Sequence, residues 1–369
     1  KVVSISFGPQ TFIKETERLP KHKEETPMKK LVALVLTMLM LVAVFTSMAS
    51  AASKPIKIKF AYMPPELTPE ECVETTIAYT FRDYLEEHFP DRFQVEIYPS
   101  GQLGSFAETY AGNSDGSIEI SLVNVAAIST VDKNLNVWQI PGSINSLAQI
   151  RALLASEEAM ATFDNVNKQT GTTILMGFSA GARHFTNNVR EVKTPADMNG
   201  IVFRTMENPL YVKMVESMGG VAVPMASSEM YSALQNGVIQ GQENPIASII
   251  SDMTYQVQDY LTLDGHVYSL AFMVCNTAWL NNLDPELQQG VKDAAKAAFV
   301  ASNERVDALE ATGLEFLKTT GGMQVYVPTE EELKAWHDQC YQGAVGYVIE
   351  QLGQEKVDEF MNLVNSVAY

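Results

Sequence analysis

The stretch IKIKFAYM (56–63) alternates apolar and polar positions, the two-residue period of a strand with one buried face. Thr68, Pro69 and Glu71 then carry the spacing of a capping box and predict a helix running to about His88. FQVEIYP (93–99) and SIEISLV (117–123) predict two more strands, the second after a turn at Gly116. A helical period covers about 147–168 and leads into the strand TTILMGF (172–178). GIVFR (200–204) is a strand that meets a helix opened by MENPLYV and closed at Gly219-Gly220. VAVPM (221–225), SSEMYSALQ (227–235) and VIQG (238–241) predict strand, helix and short strand, and a further helix follows GQENP. From Asp284 to about Thr319 the period is helical again, with Gly313 as the expected break. This alternation of strands and helices is the pattern of open α/β sheets.

Glu-Asn-Pro occurs twice, ending at Pro209 and at Pro245, each time before an apolar helical pattern. An Asn side chain accepts the free N–H groups of a first helical turn, and Pro at the first helical position loses no hydrogen bond. Asn208 and Asn244 are therefore both expected to be caps. Ligands in open α/β sheets sit beyond the carboxyl ends of strands, where helix N-termini point their free N–H groups. Arg204, Asn244 and Arg183 all fall at expected strand ends, which makes an anion site plausible on pattern alone.

The N-terminal part needs separate treatment. Met28-Lys29-Lys30, the apolar run 31–45 and Ala49-Ser50-Ala51 have the order of a secretory signal peptide. The apolar core is short for a membrane span, which takes about 20 residues. Residues 1–27 are expected to be an untranslated upstream extension, 28–51 the signal peptide, and the mature chain periplasmic, without membrane insertion once the signal is removed. Without the first 51 residues the chain keeps 19 basic and 40 acidic residues, a net charge of −21. Such a field is a poor match for nucleic acid or anionic lipid. Three cysteines, Cys72, Cys275 and Cys340, leave an odd thiol, and a Cys72–Cys340 bridge stays open.

GFSAG (177–181) matches the nucleophile turn G-x-S-x-G with Ser179 at its centre, so a secreted serine hydrolase is the competing function. The sequence after it shows no amphipathic helix, and neither His266 nor His337 lies in a supporting motif. The four histidines of the mature chain are widely spaced, with no metal-binding pattern, and no Gly-rich phosphate loop is present. No cofactor and no metal are expected.

RTMENPLYVKMVESMGGVAVPMASSEMYSALQNGVIQGQENP (204–245) resembles the solute-binding subunits of tripartite ATP-independent periplasmic (TRAP) transporters. YPSGQLG (98–104), DGSIEISL (115–122), GARHFTNN (181–188), TPADMNG (194–200), LDGHVYS (263–269) and LDPELQQGVKDAA (283–295) fall in that family's order. The resemblance implies a periplasmic binding protein-like α/β fold: two α/β domains, a ligand cleft, a hinge and a long connecting helix. Domain I would comprise 54–180 plus 270–310, and domain II 181–269 plus 311–369. It implies no enzyme, but capture of a small organic carboxylate, a C4-dicarboxylate or sugar acid, for delivery to TRAP membrane permease subunits. By the same resemblance Arg204 is the carboxylate anchor, Arg183 its supporting arginine, and Asn244 and Asn124 are ligand contacts. His266, Phe106 and Ser227 are the remaining residues expected to bind ligand. Ser227 stands where the family usually has Phe, and Ser105-Phe106 where many members have acidic or polar residues, so the pocket wall differs from theirs.

Overall fold

Two mixed sheets organise residues 54–369, the part of the chain that the computed structural model describes. The expected signal peptide and upstream extension lie outside the described residues. The first half of the chain contributes β1 (Ile56–Ala61), α1 (Val73–His88), β2 (Phe93–Tyr98), α2 (Phe106–Asp115), β3 (Ile120–Asn124) and α3 (Val125–Val131). Next come α4 (Leu147–Ala155), α5 (Glu157–Met160), α6 (Asp164–Thr170), β4 (Thr172–Phe178) and β5 (Ala182–Asn187). Then follow β6 (Val202–Thr205), α7 (Pro209–Ser217), β7 (Val221–Pro224), α8 (Ser227–Gln235), β8 (Gly241–Pro245) and α9 (Ile246–Ser251). The chain ends with β9 (Tyr260–Tyr268), β10 (Ala271–Asn276), α10 (Thr277–Asn281), α11 (Pro285–Thr319), β11 (Gln324–Tyr326), α12 (Glu330–Leu352) and α13 (Gln354–Ser366).

The first sheet has the order β2-β1-β3-β10-β4, with β10 antiparallel to both its neighbours. The second has the order β11-β9-β5-β8-β6-β7; β5 runs antiparallel to β8 and β9, and β6 parallel to β7 and β8. The chain passes between the sheets at 178–182, at 268–271 and again along α11. The stripe Val73, Ile77, Phe81 and Leu85 seals α1 onto the first sheet beside Ile58 and Phe60. One face of α11, through Leu287, Val291, Ala294, Ala298, Val306 and Leu309, lies on the same core, and Leu317 near its end joins a separate cluster with Ile246 and Ile249 of α9.

Several expectations are corrected. Thr68 does bond Glu71 through its backbone N–H and hydroxyl, but the box closes a turn, and the helix begins only at Val73. The helical period at 147–168 is cut at Ser156 and again through 161–163, because Ser156 leaves helical geometry to cap the next segment. α11 runs through Gly313 unbroken. A Cβ there would stand 2.7 Å from the Ile246 side chain, so Gly313 marks a close helix contact rather than a break. The short strand expected at 238–241 begins where it was expected to end: Gly241–Pro245 is the strand, and the second ENP lies inside it. Cys72, Cys275 and Cys340 are all buried free thiols. Among the described residues no helix is long and apolar enough to cross a membrane.

Gly241 illustrates how tightly the second sheet is packed. A Cβ on it would come within 2.5 Å of the Phe203 ring and 2.6 Å of the Thr186 carbonyl. Gly241→Ala is expected to destabilise by about 1–3 kcal/mol, the usual cost of overpacking. Gly346→Ala, in mid-helix with open space around it, is expected to gain roughly 0.5–1 kcal/mol. Urea unfolding of both variants checks the contrast.

Candidate functional site

A cavity of about 80 Å³ lies where the two sheet-bearing halves meet. From the first half it takes Met63 and Pro64 after β1, Glu74 from the first turn of α1, Phe106 from α2, and Asn124 at the end of β3. From the second half come Arg183 on β5, Arg204 on β6, Met206, Tyr211 on α7, Ser227 on α8 and Asn244 on β8. Ser248 and Asp252 of the α9 segment close that side, and Ser269 lines it from the crossing between β9 and β10. A wider recess of about 250 Å³ shares Phe106, Asn124, Arg204, Met206 and Ser227 with the cavity. A third, of about 160 Å³, shares Met63, Ser227 and Asp252. Ser227 therefore borders all three.

The two arginines differ sharply. Arg183 Nε donates to Glu243 Oε2 at 2.5 Å, and its Nη2 donates to Glu243 Oε1 at 2.9 Å and to the Glu243 carbonyl at 2.6 Å. This bidentate pair is almost fully buried. Arg204 is 4% exposed, yet its only side-chain hydrogen bond among the described residues runs from Nε to the Met225 carbonyl, 2.9 Å away. Its terminal nitrogens are left for the cavity. Burial brings the Arg204 guanidinium down to about 10, so it still carries its charge at neutral pH.

Beneath Arg183 lies a chain of charges. His266 Nδ1 stands 2.5 Å from Asp264 Oδ2, and its Nε2 stands 3.2 Å from Glu243 Oε2. With a carboxylate at each ring nitrogen both must donate, which is an imidazolium. Burial alone would lower the His266 pKa; Asp264 and Glu243 override it and raise it to about 9. Burial likewise opposes ionisation of Glu243, but Arg183 and His266 bring it down to about 2. Asp264 Oδ1 accepts from the Phe185 N–H, and the Phe185 ring stacks on His266 with centroids 4.6 Å apart. His184, by contrast, accepts the Gly265 N–H on Nδ1, so that nitrogen carries no proton, and burial holds the residue down at about 4.

Six of the seven residues expected to bind ligand border the cavity: Arg204, Arg183, Asn244, Asn124, Ser227 and Phe106. His266 does not; it is a fully buried residue of β9 that holds Glu243 in place. Arg183 is not at the end of β4 but at the start of β5, where it is paired in register with Pro245. Asn208 is the cap expected of it, accepting from the Leu210 N–H at 2.9 Å. Asn244 caps nothing. It sits in β8 opposite His184, donates to Gln242 Oε1, and its Oδ1 accepts no hydrogen bond among the described residues. Asn124 is a cap, accepting from Ala127 N–H, and also reaches the cavity. Glu74, Asp252, Tyr211, Ser248 and Ser269 were not singled out from sequence. Ser248 and Asp252 stand four apart just after ENP, the spacing of one helix face, and that was the available signal.

The geometry lends the hydrolase alternative no support. Ser179 Oγ accepts from the Gly181 N–H and lies 3.5 Å from Ser269 Oγ. Both His266 nitrogens are engaged by carboxylates, and His337 Nε2 is bonded to the Asp264 carbonyl. No histidine among the described residues is hydrogen-bonded to Ser179.

The family described as bacterial extracellular solute-binding protein, family 7, matches residues 66–342. A solute-binding protein of Verminephrobacter eiseniae is 34% identical over 245 residues, 66% of this chain and 72% of the relative. A solved TRAP periplasmic solute binding protein from Bordetella bronchispeptica, with density assigned to pantoate, is 30% identical with a TM-score of 0.76. The match covers 83% of this chain and 98% of that one. Another, from Polaromonas sp JS666 and bound to D-erythronate, is 27% identical with a TM-score of 0.75 over 83% and 98% of the two chains.

The His266 network sets an alkaline limit on stability. Its folded pKa of about 9 lies above the ordinary 6.5, so its contribution is complete below pH 6.5 and is lost as pH rises through 9. The contribution of Glu243, depressed to about 2, is instead present above its ordinary 4.5 and lost on acidification. Chemical denaturation from pH 6.5 to 9.5 is expected to show falling stability in the wild type. His266→Gln is expected to be less stable at pH 6.5 and much flatter across that window.

Proposed function

Because the chain belongs to bacterial extracellular solute-binding protein family 7, we propose that its cleft captures a small organic carboxylate in the periplasm and delivers it to TRAP permease subunits. The observation that carries this reading is Arg204: a charged, buried guanidinium whose terminal nitrogens face a cavity without a protein partner. A carboxylate supplies two parallel acceptors that match the guanidinium fork. Arg183 cannot offer the same fork, since its Nε and Nη2 already serve Glu243. Its role is to satisfy Glu243 and to hold the β5–β8 wall.

The polar neighbours fit a directional ligand. The open Asn244 Oδ1 accepts a ligand hydroxyl, Asn124 Nδ2 donates, and the Tyr211 and Ser248 hydroxyls supply further contacts. The Bordetella protein has density assigned to pantoate and the Polaromonas protein is bound to D-erythronate, both hydroxylated monocarboxylates, which agrees with a wall of this kind. The crossings at 178–182 and 268–271 serve as hinge strands between domain I (54–180 plus 270–310) and domain II (181–269 plus 311–369). Closing them around a ligand removes the charge pair from water. Such burial is tolerated only where the remaining donors and acceptors are satisfied.

Arg204→Lys keeps the charge and loses the fork, and calorimetry is expected to register a loss of roughly 1.5–3 kcal/mol, the range of one charge-assisted hydrogen bond. Arg204→Ala is expected to remain folded and to lose detectable binding. Ligand affinity within twofold of wild type in Arg204→Ala would falsify the anchor.

Ser227 sets the room beside it. Ser227→Phe is expected to fill the junction of the three recesses, weakening bulky acids while sparing the smallest ones. An acid panel read by thermal shift checks it, since a ligand of the native state raises the melting point.

A further inference from the structure

Two carboxylates line the cavity without forming a salt bridge among the described residues; Arg204 and Arg183 act on Asp252 only at longer range. Glu74 enters from α1 in the first half, and Asp252 from the end of α9 in the second. The one side-chain partner of Glu74 among the described residues is the weak donor Cys72 Sγ, at 3.4 Å. The Asp252 carboxylate has none. The remaining charges of this wall are already placed. Arg183 is answered by Glu243, and His266 by Asp264 and Glu243. Arg204 remains, with 96% of its surface buried and its terminal nitrogens unbonded among the described residues, aimed into the same space. The cavity wall thus offers one unanswered cation and two unanswered carboxylates.

Resting on the carboxylate-capture reading above, we propose that the ligand gives its carboxylate to Arg204 and turns a hydrogen-bond donor, hydroxyl or ammonium, toward Glu74 and Asp252. This chain then selects hydroxy or amino monocarboxylates and rejects dicarboxylates. The chemistry is complementary at one pole and repulsive at the other. An ionised carboxylate accepts hydrogen bonds and cannot donate one. A donor from the ligand satisfies Glu74 and Asp252 as the cleft closes, whereas a second ligand carboxylate meets two like charges in a site from which water has been removed. Discrimination by an unmet charge of this kind is stronger than discrimination by shape. Burial, with Glu74 nearby, holds Asp252 up at about 7, and burial raises Glu74 as well, so a ligand donor favours their ionised forms, whereas a second ligand carboxylate is accepted only with uptake of a proton between them.

Four acids with the same four-carbon chain separate the far end from the near one: butanoate, 4-hydroxybutanoate, 4-aminobutanoate and succinate. In calorimetry on the wild type, 4-hydroxybutanoate or 4-aminobutanoate is expected to bind at least about tenfold more tightly than succinate. Whichever leads identifies the donor as hydroxyl or ammonium. In the double variant Glu74→Gln/Asp252→Asn the order is expected to narrow or invert, with succinate gaining. Succinate binding as tightly as the donor-bearing acids in the wild type overturns the proposal while leaving carboxylate capture intact. An unchanged order in a folded double variant overturns it too. If no acid of the four binds at millimolar concentration, carboxylate capture fails and the proposal fails with it.

Discussion

A buried guanidinium is available to an outside anion only when the charges around it are already satisfied, and the Arg183–Glu243 pair meets that condition. Glu243 is fully buried and takes both Nε and Nη2 of Arg183. Were Glu243 free, the nearest cation for it would include Arg204, and the cavity would hold an internal salt bridge in place of a receptor. His266 braces Glu243 from behind, and Asp264 braces His266. Four ionised groups thus cancel one another beneath the site, and the guanidinium above them stays uncommitted.

The same network fixes the position of the strands. Arg183 lies on β5, Glu243 on β8, and Asp264 and His266 on β9, so the ion pairs tie together three consecutive strands of one sheet, His266 reaching Glu243 over β5. Phe185 is part of this arrangement twice over, donating its N–H to Asp264 and stacking its ring on His266 and Trp336. Against an apolar replacement of the same shape a buried ionic cluster gains little, since desolvation offsets most of the Coulomb attraction, although removing one charged member is costly. Its value lies in register: each member has a partner in one alignment of the strands and none in a shifted one. The exactness of β8 against β5 is what puts Asn244 and Arg183 on the wall of the cavity.

The cavity wall itself is assembled from segments far apart in the chain. Glu74 and Asp252 are separated by most of the described sequence, and neither belongs to a motif. Their meeting depends on α1 and α9 both abutting the cleft from different halves, with α11 running against each. The acidic surplus of the chain as a whole bears on partners and solubility, while recognition is decided by a few uncompensated groups at short range.

Local physics was legible in the sequence wherever one segment decided its own state. Alternation marked β1 and β2, TTILMGF and SSEMYSALQ matched their strand and helix residue for residue, and Asn208-Pro209 capped its helix as expected. The family motifs also led to Arg204, Arg183, Asn124 and Asn244, which the fold gathers around one cavity. What stayed hidden was set by neighbours in space. The second ENP has the same letters as the first, but β5 lies beside it and draws residues 241–245 into the sheet, so Asn244 becomes a strand residue instead of a cap. Gly313 reads as a helix breaker until α9 packs against it and makes glycine the residue that fits. His266 has the composition of a ligand contact, yet two carboxylates claim its nitrogens inside the sheet. Sequence alone determines hydrogen bonding and periodicity within a segment, because those partners are a few residues apart. Which charge is answered and which is left for a ligand depends on contacts between distant segments, and only the tertiary structure decides that.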